Sequence, residues 1–103
     1  MILREIADDL LVLGAVDNLA EFSELAGRRS SWASSTMARR RQVSTEALLH
    51  LRHNLSGILA ETQEEAARAS NLDEKRSLEG GGADLEAWIK KIDQELERRC
   101  EGG

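Results

Sequence analysis

An all-α fold is predicted by three features of this 103-residue sequence. Proline and tyrosine are absent. Aromatic residues make up only 3% of the chain, and β-branched residues are few, although strands favour both. Leu, Ala, Glu and Arg, all good helix formers, supply much of the rest.

Apolar spacing places the helices in order. Ile2, Ile6, Leu10 and Leu13, widened by Leu3 and Leu11, predict a first helix over 2–13 that stops at Gly14. Asp17 or Asn18 caps a second helix through a short side-chain oxygen. This helix runs to about Ala26, buries Leu19, Phe22 and Leu25 or Ala26, and stops at Gly27. A third helix is predicted over 30–38, capped by Arg29 or Ser30. Its four serines and one threonine make it a poor helix by intrinsic preference. Residues 39–43 form a connection, and Ser44 caps a long helix. In it Leu48, Leu51, Leu55, Ile58, Thr62, Glu65 or Ala66, and Ala69 step by three and four. Gly57 is expected to bend or break that helix. Residues 70–79 are polar and ambiguous, and Gly80-Gly81-Gly82 reads as a flexible break. A last helix starts at Asp84 or Ala83, with Leu85, Trp88, Ile89, Ile92 and Leu96 on one apolar face.

The net charge of −5 is unevenly distributed. Residues 22–55 carry Arg28, Arg29, Arg39, Arg40, Arg41 and Arg52 against Glu24 and Glu46, a net +4. Residues 1–21 carry −4 and residues 56–103 carry −5. A basic centre between acidic ends is the electrostatic footprint of a polyanion partner.

The basic centre also carries a motif. Phe22 and the small Ser23 are followed by Gly27, four positions after the serine. Ala33 and Thr36 stand six and nine positions past that glycine, and the arginine run and the Ser44 cap come next. A small residue lets two helices cross closely, a glycine makes the turn, and two anchors hold the next helix with its outer face free. Over residues 22–55 the sequence resembles the lambda-repressor/Cro-like helix-turn-helix proteins.

The resemblance implies a helix-turn-helix DNA-binding domain over 1–56 and a helical extension over 57–103. It makes the third helix a recognition helix presented to double-stranded DNA. Ser30, Ser31, Ser34 and Ser35 would then contact bases, because hydroxyls both donate and accept. Arg28, Arg29, Arg39, Arg40 and Arg41 would contact phosphates. Trp32 is expected to pack rather than stack on a base.

A two-fold homodimer is expected from the apolar surface of the C-terminal half, with Leu55, Ile58, Leu85, Trp88, Ile89, Ile92 and Leu96 as its interface. The implied function is a sequence-specific transcriptional regulator binding a palindromic operator as that dimer. The alternative is a protein-interaction factor, an antiactivator or adaptor, that uses the acidic helices to meet another regulatory protein.

Other chemistry finds little support. Glu46, His50 and His53 fall near one helix face, but no fourth ligand is evident, so neither a metal nor any other cofactor is expected. No glycine-rich phosphate loop, buried carboxylate pair or Ser/His/Asp arrangement is visible, so an enzyme is not expected. The single Cys100 excludes an intramolecular disulfide. No signal peptide or membrane span is read, and the cytoplasm is the expected location.

Overall fold

The computed structural model describes residues 2–39 and 42–101. Among them the chain forms α1 (Ile2–Leu13), α2 (Leu19–Leu25), α3 (Trp32–Ala38), α4 (Thr45–Arg68) and α5 (Leu72–Glu101), with no strand. The all-α prediction therefore holds. The helices divide between two compact units, residues 1–51 and 52–103. α4 contributes residues 45–51 to the first and 52–68 to the second. The boundary expected between 56 and 57 also lies within α4.

In the first unit, α1 packs on α2 and α3, and α2 packs on α3. α1 buries Leu3, Ile6, Ala7 and Leu10, as its spacing predicts. Gly14 ends it at φ +76°, donating to the Leu11 carbonyl, while Ala15 donates to the Leu10 carbonyl. These paired bonds satisfy carbonyls that the helix end would otherwise leave orphaned. Asn18 caps α2 by accepting from the Glu21 N–H at 2.9 Å, and the Glu21 carboxylate accepts from the Asp17 N–H at 3.2 Å. The same terminator as at Gly14 recurs at Gly27, which has φ +71°. Its N–H donates to the Glu24 carbonyl, and the Arg28 N–H donates to the Ser23 carbonyl.

α3 starts at Trp32, later than the predicted residue 30, with Ser31 at its N-cap and no capping bond from that side chain. The reason is tertiary. The N–H of Ala33, one of the donors a helix start leaves orphaned, is satisfied by the hydroxyl of Ser23 in α2. Ser44 behaves as predicted: its Oγ accepts from the Ala47 N–H at 3.2 Å at the head of α4. Phe22, Ala26, Ala33, Val43, Ala47, Leu48 and Leu51 join the buried residues of α1 to fill this unit. Leu19 and Leu25 are only half-buried.

The second unit corrects two expectations. α4 runs without a break through Gly57, and α5 runs without a break through Gly80, Gly81 and Gly82. The last helix begins at Leu72, not at Ala83 or Asp84, because Asn71 Oδ1 accepts from the Glu74 N–H at 2.7 Å and opens it earlier. A glycine costs about 1 kcal/mol in a helix interior, and packing outweighs that here. Gly82 is buried, and a methyl in its place would lie 3.5 Å from Leu59 Cδ1 and 3.9 Å from Thr62 Cγ2. Arg52 binds both carboxylate oxygens of Asp93, with Nη2 and Oδ2 at 3.3 Å. Residue 52 pairs with 93, and 59 and 62 meet 82, so within this unit α4 and α5 run antiparallel.

The surface of α5 carries its own ion pairs. Glu95 accepts from Arg98 Nη2 at 2.6 Å and Nε at 3.0 Å, and from Arg99 Nε at 3.0 Å. The hydrogen bond from Arg98, followed by that from Arg99, holds the Glu95 carboxyl down at about 2, from an ordinary 4.5. Lys91 lies 4.4 Å over the ring of Trp88.

The residues expected to pair two copies divide by burial. Leu55, Leu85, Trp88 and Ile92 are at most 4% exposed in the single chain, while Ile58, Ile89 and Leu96 are half-buried. Much of the apolar excess that suggested a second copy is thus taken up within the chain.

Candidate nucleic-acid interface

Ser23 and Ala33 bring α2 and α3 together. The Ser23 hydroxyl donates to the Leu19 carbonyl at 2.9 Å and accepts from the Ala33 N–H at 2.9 Å, and Ser23 itself is fully buried. Only a small side chain allows so close a crossing, and a hydroxyl both fits and satisfies a buried donor. Gly27 makes the turn between the helices. A Cβ there would sit 2.8 Å from Cγ of His50, so the glycine is required by space as well as by φ. Ala33 and Thr36 face inward, at 0% and 9% exposure.

With the inner face fixed, the outer one is determined. Arg29, Ser30, Ser31, Ser34 and Ser35 are all exposed, with Arg39 exposed at the other end of α3. Among the described residues none of those four serine hydroxyls has a hydrogen-bond partner. Of the four expected base-contacting serines, Ser34 and Ser35 lie on α3, while Ser30 and Ser31 precede its first residue, Trp32; all four are exposed, with Arg29 before them and Arg39 after. Arg40 and Arg41, also expected to meet phosphate, lie outside the described residues.

Arg28 is committed within the chain. Its Nη2 donates to Ser44 Oγ at 3.0 Å and lies 3.6 Å from the exposed carboxylate of Glu46, while its Nε–H is buried without an acceptor. Its position just after the turn signalled a surface cation. What holds it instead is an approach across sixteen residues to the start of α4, which nothing in local sequence announces.

A cleft of about 330 Å³ opens beside this surface, lined by Arg28, Trp32, Ser35, Thr36, Arg39, Gln42 and Ser44. Trp32 is half-buried and forms one wall, which accords with packing only in part. Gln42 received no role from sequence; its place just outside the arginine run was the one available signal.

Among the described residues no three His, Cys, Asp or Glu side chains gather so as to hold a metal ion. No described helix is long and apolar enough to cross a membrane. Fold and surface together define an all-α protein with a three-helix N-terminal arrangement that presents a short hydroxyl-rich helix. The chain belongs to a family of unknown function, DUF6626, whose family model matches residues 3–102. No curated protein and no solved structure matches it.

Proposed function

We propose that the chain is a sequence-specific DNA-binding transcriptional regulator that inserts α3 into the major groove. The observation that carries this reading is the Ser23–Ala33 hydrogen bond together with Gly27 at φ +71°. They fix α3 through its backbone and inner face, leaving Ser34 and Ser35 outward on the helix and Ser30 and Ser31 exposed just before it, between Arg29 and Arg39. Hydroxyls at those positions would donate to and accept from base edges, and the arginines would hold the phosphates on either side. The acidic first helix, packed on α2 and α3, would face away from the duplex.

A two-fold pair of such chains would bind a palindrome with half-sites about one helical turn apart, roughly 34 Å. If a second copy docks on the C-terminal unit, the surface left to it includes Ile58, Ile89 and Leu96.

The experiment is selection of bound fragments from genomic DNA, followed by fluorescence anisotropy on a recovered and a scrambled site. Specific binding should exceed non-specific binding by about 10³-fold or more. It should also weaken steeply as salt rises, because counterions are released on binding. No binding at low salt overturns the reading, and the antiactivator or adaptor alternative then takes its place.

A further inference from the structure

We propose that the cleft between α3 and the start of α4 binds a small phosphomonoester carrying a planar ring, and that its occupant competes with DNA. The second clause rests on the function proposed above; the first does not.

The lining is rich in donors and, among the described residues, includes no carboxylate. Arg28 and Arg39 bring two guanidiniums to it, and Gln42 brings an amide. Ser44 Oγ already accepts twice, from the Ala47 N–H and from Arg28 Nη2. A hydroxyl has two acceptor lone pairs and one proton, so the Ser44 O–H remains to donate. One unspent hydroxyl donor and two guanidiniums call for an oxyanion, and planar guanidiniums bind phosphate oxygens in pairs. Glu46, 3.6 Å from Arg28, is the carboxylate that competes, but its side chain is 72% exposed and turns readily to water.

The rest of the ligand follows from Trp32. Its indole gives the cleft a flat apolar wall against which a planar ring stacks. The volume of about 330 Å³ lies at the lower end of the range for small-molecule sites. Ser35 and Arg39 belong both to the cleft and to the surface offered to DNA. A ligand seated there removes one cation and one hydroxyl from that surface.

The test is calorimetric titration of the unmodified full chain with adenosine monophosphate, with adenosine and with inorganic phosphate, in the absence of DNA. The expected result is saturable binding of the monophosphate, tighter than binding of either fragment. Arg39→Ala should weaken it by about tenfold, the loss of one charge-assisted contact. In a Trp88→Phe chain, where Trp32 is the remaining indole, the ligand should quench the emission. No heat of binding up to about 5 mM monophosphate, far weaker than micromolar affinity, overturns the proposal. So does unchanged affinity in the Arg39→Ala chain. A final arm adds the monophosphate to the chain on its selected DNA site. Release of DNA supports the competition clause, and coexistence of both ligands overturns it. Binding of the monophosphate by a chain that binds no DNA upholds the site and sinks only the DNA reading. DNA binding without monophosphate binding does the reverse.

Discussion

The backbone N–H of Ala33 is hydrogen-bonded to the hydroxyl of Ser23 at 2.9 Å, so the start of one helix is capped by a side chain of another. Replacing Ser23 by alanine removes the acceptor while leaving the donor buried. Such a loss costs about 1–3 kcal/mol. Urea unfolding of Ser23→Ala should show it as a lower midpoint, and an unchanged midpoint would mean that water replaces the hydroxyl.

Gly27 and Gly14 separate two costs. Both have positive φ, at +71° and +76°, but open space surrounds Gly14 while the ring of His50 crowds Gly27. Gly14→Ala should lose only the backbone cost, of order 1 kcal/mol. Gly27→Ala should lose more, and His50→Ala made on that background should recover the excess. A double-mutant cycle showing no coupling between 27 and 50 would rule out the ring contact.

The glycines inside α4 and α5 make the opposite prediction. Nothing lies within 4 Å of a Cβ at Gly57, Gly80 or Gly81. Each change to alanine should stabilise by about 0.4–1 kcal/mol. Gly82→Leu should destabilise, because Leu59 and Thr62 leave room for little more than a methyl. Thermal melts of the four variants should divide three against one.

If α3 reads DNA as proposed, Arg39 and Ser34 should divide affinity from discrimination. Arg39→Ala should weaken binding to selected and scrambled DNA alike and flatten the salt dependence by about one unit. Ser34→Ala should change mainly the ratio between the two sites, by at most about 1–3 kcal/mol. Anisotropy at two salt concentrations measures both. Equal binding by the Arg39 variant and the original chain would contradict the electrostatic argument.

Glu95 sets an acid limit. Its folded-state carboxyl is held at about 2, below the ordinary 4.5, by Arg98 and Arg99. The unfolded chain therefore binds its proton first as pH falls. The contribution is fully present above about pH 4.5 and is lost between there and about pH 2. Glu95→Gln should abolish that part of the pH dependence. Parallel acid titrations of the two chains, followed by circular dichroism, would reveal the difference; superimposable curves would refute it.

Much of the first unit was legible because its signals are local. The spacing of α1, the Asn18 cap, the Gly27 terminator and the Ser44 cap each act within a few residues. The start of α3 was not legible in the same way, because its first turn is completed by a serine ten residues earlier. Nor was the continuity of α5, where three glycines spell a break and the packing of α4 against it supports a helix. Arg28 illustrates the limit at the candidate site. Its charge was readable, but its attachment to Ser44 and Glu46 depends on the fold. The outward positions of Ser34 and Ser35 were readable, since the inward positions of Ala33 and Thr36 fix them, but not that Ser30 and Ser31 precede the helix.

α3 is held by its inner residues and its first backbone donor, so its outer side chains perform no structural duty. Ser30, Ser31 and Ser34 can be exchanged for other polar residues at almost no cost in folding, since exposed substitutions of this kind usually change stability by under about 0.5 kcal/mol. A chain that keeps Ser23, Gly27 and small anchors at 33 and 36 is therefore free to change the surface it presents there. The scaffold is an alphabet of interchangeable surfaces, and a library randomised at those three serines would sample new surfaces without first having to solve the folding problem again.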